Sequence, residues 1–165
     1  MRLVTDDGNG VPPLVREAIR KAAVAWVAVD GGPAVALWCV PIEDALYVVS
    51  GPGEQVAPDL AEGATATVTL RGDHRGRIVT WPAEVTRVLP GGERWETVAP
   101  VVAAKRLNGP AISESVARWA AECVLYRLSP AGAPVGAGDG LPDESLAAPP
   151  RPTPAARRTS PRRDR

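Results

Sequence analysis

The sequence predicts a mainly β, α+β fold: a six-stranded antiparallel β-barrel with flanking helices. Three observations carry this expectation. Two connections, "GGP" (31–33) and "EDA" (43–45), join apolar strand-like runs and are too short to reach a parallel neighbour. The stretch "ATATVTLR" (64–71) alternates cleanly, with Ala66, Val68 and Leu70 on one side and Thr65, Thr67, Thr69 and Arg71 on the other. Six such runs within residues 25–130 hold too much sheet for a helical bundle and too many hairpins for a doubly wound fold.

The elements follow in order. Residues 1–11 form an N-terminal segment with no apolar core, and the barrel domain is expected over 12–130. "PPLVREAIRKAAV" (12–24) reads as a first helix, because Pro12 and Pro13 suit a helix start and Leu14, Ala18, Ile19 and Ala22 share one face. Strands are expected over 25–30, 34–42 and 46–50, the last, "LYVVS", being apolar enough to be buried throughout. "APDLAEG" (57–63) reads as one or two helical turns closed by Gly63. After the alternating strand, "GDHRG" (72–76) connects to a long strand over 77–89, in which Pro82 implies an edge, a bend or a bulge. A helix in two pieces around Pro100 is expected over 90–109, then a helix over 112–122 with Ser113 as N-cap, then a sixth strand over 123–130.

From residue 131 the composition turns to Pro, Gly, Ala and Arg with little to bury, which predicts a disordered tail over 131–165. The formal net charge of zero is unevenly spread: residues 146–165 hold six Arg and one Asp, a net of +5, leaving −5 on the rest. An acidic body offers no broad basic face, so nucleic acid is not an expected partner. Arg outnumbers Lys 17 to 2, the usage of a GC-rich genome such as an actinobacterium's. No run approaches the roughly 18 apolar residues of a membrane span and no secretory leader is evident, so a cytoplasmic protein is expected. Cys39 and Cys123 stand alone in apolar runs and read as reduced core residues; with His74 the single histidine, no metal site is expected.

The loop "SGPGEQ" (50–55) has two readings. The amides of Gly51, Gly53 and Glu54, with the Ser50 hydroxyl, can form an anion-binding nest, or the loop can be a plain corner that ends a strand. It is no P-loop, lacking the GK[ST] ending. The Thr67, Thr69 and Arg71 row is either the solvent side of a sheet or a cofactor groove, with His74, Arg75 and Arg77 close behind in sequence. Trp38 and Trp81 read as barrel wall or as surfaces for a flat ring. Lys105, Arg106 and Asn108 either cap a helix C-terminus or reach a ligand at a partner subunit.

The order of elements, carried by "AWVAVDGGPAVALWCVPIEDALYVVSG", "LAEGATATVTLR" and "RIVTWPAEVTRV", resembles the FMN-binding split barrel of the pyridoxamine 5′-phosphate oxidase-like superfamily, which includes flavin- and deazaflavin-dependent oxidoreductases. The resemblance implies a split barrel, a homodimer with its cofactor at the subunit interface, and FMN or a deazaflavin. The cofactor would be bound near Ser50, Gly51, Gly53, Gln55, Thr69, Arg71 and Arg75, with its ring near Trp38, and would move a hydride to or from a small-molecule substrate. Members usually carry a Lys or Arg in this loop, where Glu54 and Gln55 stand here; a carboxylate beside a phosphate is repelled and must point away. The alternative is a flavin-free split barrel serving as a ligand-binding or protein-interaction module.

Overall fold

The computed structural model describes residues 10–71, 78–106, 108–132 and 136–137. The expectations for the N-terminal segment, for His74, Arg75 and Arg77, and for most of the tail lie outside the described residues. Helix α1 (Pro13–Arg20) is followed by strands β1 (Val24–Val29), β2 (Val35–Trp38), β3 (Val40–Ile42), β4 (Ala45–Ser50), β5 (Thr65–Arg71) and β6 (Ile78–Val88). Helices α2 (Glu93–Lys105) and α3 (Ile112–Glu122) come next, then β7 (Val124–Pro130) and the two-residue β8 (Gly136–Ala137), which lies inside the stretch expected to carry no structure.

All ladders between named strands are antiparallel, and the order β2-β1-β5-β6-β7-β4-β3 begins and ends on two halves of one ribbon broken at Cys39. The sheet therefore curls into a near-closed barrel. Where one strand was expected over 34–42 there are two: β2 follows β1 up to the Cys39 N–H, which donates to the Ala23 carbonyl at 3.0 Å, and from Val40 the chain pairs with β4 instead.

Two apolar cores explain the patterning. The first fills the barrel with Ala25, Val27, Leu37, Leu46, Val48, Val68, Trp81 and Leu128, and α1 seals it with Val15 and Ile19. The second lies outside the barrel, where Trp95, Val98, Val102 and Trp119 of α2 and α3 cover Val40, Tyr47, Val49 and Leu125. Strand β4 is sandwiched between the two, so its Ala45–Val49 run is buried on both faces, whereas β5 alternates because only its inner face is covered.

Three local expectations are corrected. No helix forms over 57–63; the stretch is two turns, with Leu60 anchored in the core and Gly63, at φ 80°, donating its N–H to Val85. Helix α2 runs unbroken through Pro100. Ser113 is not a cap: Ala111 holds that position and no side chain bonds there. Pro82 lies in an interior strand, opposite Thr67 of β5; on its other side its carbonyl accepts the Ala131 N–H at 2.9 Å, just beyond the β7 ladder that starts at Ala83.

Cys39 is 2% exposed, and burial pushes its thiol up to about 12 from 9.0. The folded state keeps this proton, so the contribution is intact below about 9 and is lost as the pH rises from there toward 12. Native protein at pH 8 is expected to take a thiol reagent at half-buried Cys123 long before Cys39, which should react only on unfolding. Equal labelling of the two in the native state, read by peptide mass, would contradict a closed barrel.

Candidate functional site

The loop after β4 turns sharply because Gly51 and Gly53 take φ of 148° and 73°. Neither tolerates a side chain: a Cβ on Gly51 would lie 2.9 Å from the Cys123 Cα, and one on Gly53 would lie 2.8 Å from Arg118 Nη1. The loop is thus pressed against the end of α3 and the start of β7.

Its polar groups are mostly used internally. The Gly51 N–H donates to the Gln55 carbonyl at 3.1 Å, the Glu54 N–H to the Gly51 carbonyl at 3.0 Å, and the Ser50 Oγ accepts from the Ala57 N–H at 3.0 Å. Gln55 reaches across to Trp38. Its Oε1 accepts from the Trp38 N–H at 2.6 Å and its Nε2 donates to the Trp38 carbonyl at 2.7 Å.

The Glu54 side chain is only 5% exposed. Its Oε1 accepts from the guanidinia of Arg106 and Arg118 and from the Trp119 Nε1 at 2.9 Å. Arg118 also donates to the Pro52 carbonyl at 2.6 Å, and Arg106 to the Gly53 carbonyl at 3.3 Å. Cys123 lies beside this cluster; burial pushes its thiol upward and the Arg118 charge offsets part of that.

Trp38, Gly53, Glu54, Gln55 and Arg106 wall a cavity of about 330 Å3. Three of the residues singled out from sequence, Trp38, Gly53 and Gln55, therefore share one site. Thr69 and Arg71 lie elsewhere on the barrel's outer face. Thr69 pairs with Trp26 across β1 and hydrogen-bonds Thr80 at 3.0 Å, and Arg71 continues the same row two residues on. Trp38 pairs with Val24 across β1, so its side chain belongs to this outward side too. Trp38 packs at the edge of the second core, whereas Val24 and Trp26 are 52% and 43% exposed on this face. Trp81 instead points inward and is buried.

Arg118, Trp119 and Trp26 were not singled out from sequence, and Arg106 was read only as a cap or a partner-reaching base. Glu54 is 52 residues from Arg106 and 64 from Arg118, so no local spacing joins them. Val24, Trp26 and Ala28 make the outer row of β1 as apolar as its inner row, which hides the face in the sequence.

No protein-family model and no curated protein matches the chain. Solved structures do share its fold. HutZ, the heme storage protein from Vibrio cholerae, superposes with a TM-score of 0.56 at 17% identity, over 76% of this chain and 94% of that one. The conserved hypothetical protein Rv2991 from Mycobacterium tuberculosis superposes with a TM-score of 0.51 at 18% identity, over 87% and 96%. The chain has the split-barrel fold: a mainly β, antiparallel near-closed barrel with three helices among the described residues.

Proposed function

We propose that this split barrel binds a phosphorylated flavin, FMN or a deazaflavin, as a homodimer, and serves as an oxidoreductase for a small molecule. One observation carries the reading: Trp38, Gly53 and Gln55 meet in one cavity with the cation Arg106, beside an uncovered sheet face. At about 330 Å3 the cavity lies within the roughly 300–1,000 Å3 range of small-molecule sites. Its lining offers an aromatic wall for a flat ring and a guanidinium for an anion, with the Glu54 carboxylate in the same wall neutralised by Arg106 and Arg118.

A bound flavin supplies the hydride chemistry itself. The chain's share is to bind and shield. Gln55 fixes the Trp38 backbone and so positions the indole, while Glu54 holds Arg106 at the cavity wall. A second copy covering Val24, Trp26 and the Thr69 row would exclude water from the groove; the exposure of an indole in mid-strand supports that role for the face.

The flavin-free module is the second reading, favoured by the loop, whose Gly51 and Glu54 amides and Gln55 side chain are satisfied within the chain. Titrating the full chain with FMN and with a deazaflavin, while light scattering records its mass, separates the two. Quenched flavin fluorescence on a dimer is expected, with Trp38→Ala weakening binding roughly two- to tenfold through lost stacking of about 0.5–1.5 kcal/mol. A monomer that takes up neither compound leaves the module as the function.

A further inference from the structure

A second group of cations stands at the start of α2, the opposite end from Arg106. Arg94, in the first turn, donates from Nη1 to the Tyr47 hydroxyl at 3.2 Å. Tyr47 lies directly opposite Arg127 in the β4–β7 ladder, so the two side chains share the outer face, and Thr86 of β6 flanks Arg127 on its other side. Arg94 is about 18 Å of helix rise away from Arg106, which keeps this group clear of the Trp38 cavity.

Donors outnumber acceptors here. The Arg127 Nε is wholly buried and has no hydrogen-bond partner. The Arg16 Nε also makes no hydrogen bond, but the Asp44 carboxylate lies 3.2 Å from it; Arg127 has no such anion among the described residues. The Tyr47 oxygen accepts from Arg94 and keeps its own O–H to give, and among the described residues nothing accepts it. Three exposed acids are near in the fold: Glu93 and Glu96 in the first turn of α2, and Glu84 on the same row of β6 as Thr86. None of them forms an ion pair with Arg94 or Arg127.

We propose that Arg94, Tyr47 and Arg127 form a second binding site, for a small divalent oxyanion of the phosphate or sulfate type. A phosphate group brings about −1.5 to −2 charges at neutral pH, a match for two guanidinia. Its several oxygens can accept from Arg94, from the Tyr47 O–H and from the Arg127 Nε together. A guanidinium N–H buried without a partner is unfavourable, and the anion relieves that. The start of α2 adds partial positive charge, since no side chain caps its amides. A carboxylate has one charge and two oxygens and satisfies fewer of these donors. The site is separate from the Trp38 cavity and does not rest on the flavin reading.

The test titrates the full chain at low ionic strength with inorganic phosphate, sulfate and acetate, following the arginine Nε–H resonances. Phosphate and sulfate should each shift the Arg127 resonance saturably, and acetate should bind roughly tenfold more weakly for want of the second charge. Arg94→Gln, at an exposed position, should raise the phosphate dissociation constant roughly tenfold or more. Tyr47→Phe keeps the packing, loses only the hydroxyl, and should raise it roughly two- to tenfold. An Arg127 resonance that stays fixed at high phosphate overturns the site, and that wild-type readout stands even where a variant fails to fold. Acetate bound as tightly as phosphate overturns the divalent class. A folded Arg94→Gln with unchanged affinity also overturns the site. Phosphate that moves Arg106 while Arg94 and Arg127 stay fixed places the anion in the Trp38 cavity instead and sinks the proposal.

Discussion

Replacing Glu54 with alanine is expected to lower the unfolding free energy by roughly 2–4 kcal/mol. The Glu54 side chain is 5% exposed and ties the loop to both helices that cover the second core. Its removal strands the indole N–H of Trp119, a residue with 0% exposure, at a cost of about 1–3 kcal/mol. It also leaves two guanidinia facing each other with no anion between them. Both are more than a quarter exposed, so water relieves part of that repulsion, and the full penalty of a deeply buried broken pair does not apply. Urea unfolding should show a lower midpoint with an unchanged slope. Glu54→Gln keeps an acceptor for the indole and should lose about half as much. An alanine variant within about 0.5 kcal/mol of the wild type would mean that the cluster does not hold the loop.

Trp81→Ala should cost roughly 3–5 kcal/mol, a large share of the 5–15 kcal/mol typical of a domain. Trp81 is 1% exposed, pairs with Val68 across β5, and is among the largest wholly buried side chains of the barrel interior. Its loss opens a void that β5 and β6 resist closing, because each is held by ladders on both sides. Trp26→Ala, on the uncovered face, provides the contrast: at 43% exposure it should cost under about 1 kcal/mol in the isolated chain. Comparable losses for the two variants in denaturant titrations would be incompatible with an inward Trp81.

Much of the barrel was legible because its hairpins are short and its patterning follows burial. β5 alternates because one side faces the core and the other faces outward; β4 does not alternate because helices cover its far side. The failures have physical causes. "APDLAEG" has helical composition, but it must span from the loop to β5 while dropping Leu60 into the core, and two turns achieve this. Pro100 removes one N–H from α2, yet the packing of Trp95, Ala99, Val102 and Ala103 on the second core keeps the helix continuous. At the site, Trp38, Gly53 and Gln55 could be found because they flank one strand end and one loop. The partners of Glu54 could not, since only the docking of α2 and α3 brings them near.

The double bond from Gln55 to Trp38 bears on how this protein avoids sticking to itself. The Trp38 N–H and C=O engaged by that amide sit at the end of β2, a terminal strand of the sheet, where the ribbon breaks at Cys39. A side chain there imitates the missing backbone and denies an incoming chain its template. Strand addition is thereby hindered at this position of the seam.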